Sequence, residues 1–250
     1  MNYGDILSII EVLLLAVVFI FLFRFIFLNY SSKVRKPFAW VKAVKDGRIG
    51  TELLKAEKKY SDRIRFYNIW MQINRLLEDN IPGDFAELGV YKGDTARVIH
   101  HCAPDRKLHL FDTFEGFPQK DLKEETGKAS GYTSRHFSDT SAEKVKTLLG
   151  DSPNIFIRKG YFPDSADKLK ETKFAFVSMD ADLHNPTLAG LEFFYPRLSE
   201  GGIILIHDYN TDWPELMKAV DTFVSGITES LIPVADADST VMIIKTKQIS

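Results

Sequence analysis

Gly83-Asp84-Phe85-Ala86-Glu87-Leu88-Gly89-Val90-Tyr91-Lys92-Gly93-Asp94-Thr95 is the stretch from which the rest of the chain can be read. A short apolar run ends in the acid Glu87, two glycines follow at Gly89 and Gly93, and a helical pattern sets in from about Thr95. A strand, a tight turn and a helix start, in that order, present backbone N–H groups and a positive helix end to a ligand. Dinucleotide sites normally carry Gly-x-Gly-x-x-Gly at this point, because a pyrophosphate needs close backbone approach and positive surroundings. Here Glu87 stands two residues before the first glycine. A carboxylate is a poor neighbour for pyrophosphate and a good one for an ammonium or sulfonium group. The spacing predicts S-adenosylmethionine, held by Glu87, Gly89, Tyr91 and Gly93. A plain strand-turn-helix without a ligand would show the same local pattern.

Downstream, Lys107 to Phe111 reads as a second strand ending at Asp112 and Thr113, about twenty residues after Gly89. A carboxylate there reaches ribose hydroxyls in this topology, or caps the turn that follows. Further short apolar strands are predicted at Asn154 to Arg158, Lys173 to Met179 and Gly202 to Ile206, with helical patterns at Ser141 to Leu149 and Thr187 to Leu198. Such alternation predicts an α/β, doubly wound, Rossmann-like sheet, mostly parallel. Leu231 to Val234 and Thr240 to Thr246, around Asp236 to Ser239, read as a closing antiparallel hairpin. Glu52 to Glu78 has one apolar helical stripe and is stopped by Asn80 and Pro82-Gly83. The long irregular stretch Thr113 to Thr140 has the length of a lid.

Four polar residues fall at the carboxyl edge beside the glycine turn: Asp180 and Asp182 after Phe-Val-Ser-Met, and His207 and Asp208 after Ile-Ile-Leu-Ile. Carboxylates converging on a cleft need a cation, and oxygen ligands suit Mg²⁺ or a similar hard ion. The expected metal set is Asp180, His207 and Asp208, with Asp180 and His207 acting in catalysis and His207 either a ligand or the base. Solvated acids capping turns around a packed histidine are the plainer reading. His184, Asn185, Tyr209 and Asn210 flank the cluster, Tyr91 and Lys92 are placed to close over the cofactor, and Phe114 to Phe117 to wall it. His100, His101 and His136 lack ligand spacing, and the single cysteine, Cys102, reads as a buried structural thiol.

The N-terminus is of another kind. From Ile6 to Leu28 only Ser8, Glu11 and Arg24 interrupt an apolar run, long enough at about 1.5 Å per residue to cross a bilayer core of about 30 Å. It lacks the basic start and small-residue cleavage site of a signal peptide. Residues 1–30 are therefore expected to form a retained transmembrane anchor and 31–50 a basic juxtamembrane linker. Lys33, Arg35 and Lys36 then leave domain 51–250 in the cytoplasm, single-pass at the membrane. A formal net charge of −2 gives no reason to expect a nucleic-acid partner.

The ordered set Gly-Asp-Phe-Ala-Glu-Leu-Gly-Val-Tyr-Lys-Gly, Phe-Asp-Thr-Phe-Glu-Gly-Phe-Pro, Asp-Ala-Asp-Leu, Tyr-Pro-Arg-Leu and His-Asp-Tyr resembles the macrocin O-methyltransferase family over about Ile64 to Phe223. The resemblance implies a class I methyltransferase sheet and metal-assisted O-methylation of a sugar. It implies cofactor roles for Glu87, Gly89, Gly93 and Asp112, and a metal role for Asp180. Where the macrolide enzymes carry two aspartates after the fifth strand, this chain has His207 and Asp208. The expected activity is membrane-anchored O-methylation of a sugar or glycan hydroxyl, lipid-linked acceptors included. A non-catalytic membrane-tethered binding or scaffold protein is the alternative, an NAD-dependent oxidoreductase is disfavoured by Glu87, and homo-oligomerisation stays open.

Overall fold

Seven strands in the order β3-β2-β1-β4-β5-β7-β6 form one sheet that carries the chain's carboxyl-edge residues. The computed structural model describes residues 3–30 and 35–246, with the side chains of 4–26 and 35–246. Contacts divide the chain into residues 1–38 and 39–250.

The first unit contains α1 (Tyr3–Tyr30). Its segment Gly4–Ile26 has a mean hydropathy of 3.1 over 23 residues and none of it is buried. It is long and apolar enough to cross a membrane, by length and composition. Lys33, one of the charges expected to set its orientation, lies outside the described residues.

The second unit begins earlier than the sequence suggests. Residues expected to be a linker hold a helix, α2 (Phe38–Lys45), whose Trp40 is fully buried among Phe66, Tyr67 and Trp70. The Trp40 ring meets Phe66 edge-on at 5.2 Å and Trp70 at 5.0 Å. Burying rings of that size is a large favourable term, and it outweighs the polar, Lys-rich look of the segment. The expected single helix over Glu52 to Glu78 is two, α3 (Thr51–Lys59) and α4 (Arg63–Glu78). Asp62 makes the break: its side chain accepts hydrogen bonds from the amides of Ile64 and Arg65 at 2.8 and 3.0 Å, the signature of an N-cap.

The sheet follows as β1 (Asp84–Leu88), α5 (Asp94–Cys102), β2 (Leu108–Asp112), α6 (Ala142–Leu149), β3 (Ile155–Lys159), β4 (Phe174–Met179), α7 (His184–Phe194) and β5 (Leu198–Ile206). All pairs among β1 to β5 are parallel. β7 (Val241–Ile244) joins β5 antiparallel, and β6 (Ile232–Pro233) joins β7. A helix not foreseen, α8 (Pro214–Val224), precedes the hairpin; Pro214 at its first position was its local start signal. Two apolar layers flank the sheet, α3, α4 and α5 packing on one and α7 and α8 on the other. The chain leaves β1 and β4 toward opposite faces, so a crevice opens between their carboxyl ends, where ligands bind in such sheets.

Candidate functional site

The turn after β1 is shaped by backbone. Gly89 has φ +84°, and a Cβ there would lie 1.9 Å from the carbonyl oxygen of Asp180. Its glycine is therefore required by the end of β4 as much as by any ligand. Tyr91 also takes a positive φ, and Gly93, at φ +84°, stands at the N-cap of α5. Asp112 holds the turn: Oδ2 accepts the amides of Val90 and Tyr91 at 2.8 Å each, and Oδ1 accepts the amide of Phe114 at 2.6 Å. Of the two roles expected for Asp112, capping is the one the hydrogen bonds display. Thr113 likewise turns to its own segment, donating to the Gly116 carbonyl at 2.8 Å.

Glu87 is 2% exposed, and its Oε2 has no hydrogen-bond donor. Burial, followed by the nearby carboxylates of Asp180, Asp112 and Asp94, raises its carboxyl well above the usual range. Such a group ionises when a cation is placed beside it.

Across the crevice, Asp180, Asp182 and Asp208 bring one carboxylate oxygen each within 4.8 Å of one another. Asp182 and Asp208 have φ of 59° and 60°, left-handed positions that non-glycine residues seldom occupy. Burial raises all three carboxyls, and their mutual repulsion raises Asp182 and Asp208 further. Asp208 is pushed up to about 8. Asp180 is restrained by the guanidinium of Arg65. Arg65 itself is bound by Asp236 and Asp238 at 3.1 and 2.8 Å, a contact spanning 171 residues to the former.

His207 is not part of this group. It is 1% exposed, with Nε2 3.0 Å from Ser178 Oγ and Nδ1 2.9 Å from Thr240 Oγ1. Burial and then the charge of Arg65 push its imidazole down to about 3, so the ring is neutral. The expected role of His207 as ligand or base gives way to a packing role between β4 and the segment leading into β7, and Asp182 takes its place in the cluster. Side chains alternate across a strand, so His207 faces the sheet interior while Asp208, at its positive φ, ends the ladder and turns to the crevice.

One cavity of about 410 Å³ joins these parts. Glu87, Gly89, Tyr91, Gly93, Asp112 and Thr113 line it together with Asp180, Asp182 and Asp208. The irregular segment 113–140 supplies Phe117, Tyr132 and Phe137 to its wall and is tied to the glycine turn. Lys92 pairs with Asp139 at 2.6 Å, Thr140 Oγ1 donates to the Tyr91 carbonyl at 2.6 Å, and Phe137 meets the Tyr91 ring edge-on. Arg65, Trp213 and Asp238 also line the cavity and had no local sequence signal. His184, Asn185, Tyr209 and Asn210 stay outside its lining, as does Cys102, whose thiol burial pushes up.

The sheet order and the placement of the cavity define a class I methyltransferase fold. The family model described as Macrocin-O-methyltransferase (TylF) matches residues 48–242, and the chain belongs to that family. Among relatives, it is 28% identical over 160 residues to an 8-demethyl-8-(2,3-dimethoxy-alpha-L-rhamnosyl)-tetracenomycin-C 4'-O-methyltransferase of Streptomyces olivaceus, over 59% of this chain and 61% of the relative. It is 27% identical over 188 residues to a mycinamicin III 3''-O-methyltransferase of Micromonospora griseorubida, over 68% and 72%. The chain thus spans little more than six tenths of the first relative. Among solved structures, the O-methyltransferase NovP superposes with a TM-score of 0.62 at 27% identity, over 74% of this chain and 81% of that one. The calicheamicin methyltransferase CalS11 shares the fold, with a TM-score of 0.57 at 21% identity over 82% and 89%.

Proposed function

We propose that the protein is a membrane-anchored, S-adenosylmethionine-dependent O-methyltransferase that acts on a hydroxyl of a sugar or glycan with the help of a divalent cation. The observation that carries this reading is the single cavity in which the glycine turn and Glu87 face Asp180, Asp182 and Asp208. The residues fit both groups. Glu87 offers a buried carboxylate oxygen without a donor, which a cationic ligand would satisfy. Three all-oxygen ligands within 4.8 Å of one another suit Mg²⁺ or another hard cation rather than a soft one.

When bound, S-adenosylmethionine supplies an electrophilic methyl on a sulfonium, and the cation lowers the pKa of a hydroxyl beside it. The chain's own part is positional and electrostatic. The glycine turn and Glu87 hold the cationic centre, Asp180, Asp182 and Asp208 orient the acceptor, and Tyr132 and Trp213 wall the acidic end from water. With the cofactor bound, transfer would join the acceptor oxygen to the methyl carbon and leave the carbon–sulfur electron pair on sulfur. The hydroxyl proton passes to the aspartate cluster.

The sugar acceptor is supported by relatives whose names specify a rhamnosyl or macrolide substrate. The apolar helix Gly4–Ile26 supports the anchor and, with Arg35 and Lys36 following, a cytoplasmic domain next to lipid-linked acceptors. The decisive experiment incubates the full chain in nanodiscs with methyl-labelled cofactor and membrane lipid and glycan extracts, with and without Mg²⁺. Label transferred to a glycan, and lost on chelation, is the expected result. Cofactor binding by calorimetry without transfer to any fraction would favour a tethered binding protein instead.

A further inference from the structure

Asp121 lies on the irregular segment between β2 and α6 and lines the cavity of about 410 Å³. It is 4% exposed. Its Oδ1 accepts two hydrogen bonds, from Tyr161 Oη at 3.2 Å and from Asn185 Nδ2 at 3.0 Å, while its Oδ2 is shielded from solvent without a donor. A carboxylate has about four lone-pair sites on its two oxygens, and a buried one left half-satisfied is costly. With Oδ1 held by those two donors, Oδ2 is the oxygen left for a ligand in the cavity that the residue already lines.

The position of Asp121 indicates the donor. Tyr161, one of its two partners, follows β3, whereas Glu87, proposed above to face the cationic centre, lies in β1, with β2 in between. At about 4.8 Å per strand, β3 and β1 are about 10 Å apart, which suits an extended ligand lying across the strand ends. The Glu87 end takes the sulfonium. The other end, walled by Tyr161 and the buried Phe162, takes the flat heterocycle. The edge group that an adenine ring offers to a carboxylate is its exocyclic amine, a donor.

We propose, building on the cofactor reading above, that Asp121 recognises the adenine amino group and makes the site selective for an adenosyl ligand over its inosyl counterpart. Hypoxanthine carries a carbonyl oxygen where adenine carries the amine, so it would set an acceptor against an acceptor. Tyr161 and Asn185 fix the sense of the variant that tests this. In Asp121→Asn those two donors hold the amide oxygen, and the amide N–H₂ then faces the cavity, disfavouring adenine and suiting hypoxanthine.

The test is calorimetry on the full chain with S-adenosylhomocysteine and S-inosylhomocysteine. Wild type should prefer the adenosyl compound roughly 10- to 100-fold, the range of one hydrogen bond to a charged group. D121N should bring the two affinities within about threefold or invert their order. The ratio is its own control, since a misfolded variant loses both ligands together, and the wild-type ratio stands even if D121N does not fold. Equal wild-type affinities, or a D121N ratio equal to that of wild type, would overturn the assignment while leaving the cofactor reading intact. The latter result would point instead to a polar ligand in the smaller cavity of about 220 Å³ that Asp121 shares with Glu125 and His184. A wild type that binds neither compound would overturn the cofactor reading and this assignment together.

Discussion

The two sides of the crevice are both rich in carboxylates and treat them in opposite ways. After β1 and β2, Asp112 gives its oxygens to the backbone amides of residues 90, 91 and 114, so its charge is spent on holding a turn. After β4 and β5, Asp180, Asp182 and Asp208 face one another; burial raises all three carboxyls, and repulsion within the cluster adds to it at Asp182 and Asp208. The turn on the first side is complete in itself, while Glu87 there keeps an oxygen without a donor. The second holds buried acids whose repulsion a cation would relieve, and we propose it as the side on which the chemistry is done.

That contrast can be broken most forcefully at the acid cluster. Asp208→Asn should lower methyl transfer on the order of 1,000-fold, a size typical for removing charge stabilisation from a reacting centre, and leave cofactor affinity within a few-fold. Labelled-methyl transfer alongside calorimetry separates the two, and a proportionate loss in both would mean the sides do not divide the work. Gly89→Ala strikes where they touch. With its Cβ 1.9 Å from the Asp180 carbonyl and φ at +84°, it should cost about 3 kcal/mol of stability, seen in chemical denaturation. A near-neutral result would show that the turn and β4 can move apart.

Next in size, His207→Gln should lose on the order of 1–3 kcal/mol from the disrupted Ser178 and Thr240 hydrogen bonds, yet keep methyl transfer within about tenfold; the matched loss expected of a ligand or base would restore His207 to the site. The smallest effect is in pH. Without divalent cation, Asp208 near 8 holds a proton that the unfolded chain, near 3.8, has released, so its contribution is complete below about pH 4 and fades as pH rises through 8. His207, pushed down to about 3 from 6.5, runs the other way: its contribution is complete above 6.5 and fades on acidification. A thermal midpoint that falls by a few degrees toward pH 8 in chelator and recovers with Mg²⁺ is expected. No recovery would argue against a cation at the cluster.

What could be read locally tracks how each feature is built. β1, the glycine turn and the start of α5 occupy one uninterrupted stretch, and the structure places them within a residue or so of the sequence reading. Strands β2 to β4 were legible for the same reason, as short apolar runs between breakers. The helix α2 was hidden because it is only eight residues long inside a basic stretch, and only Trp40 and Ala43 of it reach the core. Asp182 was visible as an acid, yet grouping the residues by adjacency put His207 in the cluster, since a strand's alternation gives no warning that Asp208 will adopt φ 60°.

The amino-acid sequence alone determined the class I sheet, the apolar N-terminal helix, the glycine turn with Glu87, and the acids at the ends of β2, β4 and β5, because each depends on a pattern within about a dozen neighbouring residues. Only the tertiary structure decided which side chains converge: Asp182 in place of His207, Arg65 held by Asp236 and Asp238, Asp112 spent on the turn, and Asp121 left with an oxygen to offer. Those outcomes turn on packing between segments up to 173 residues apart and on single backbone angles at strand ends, quantities that residue order constrains only through the finished fold.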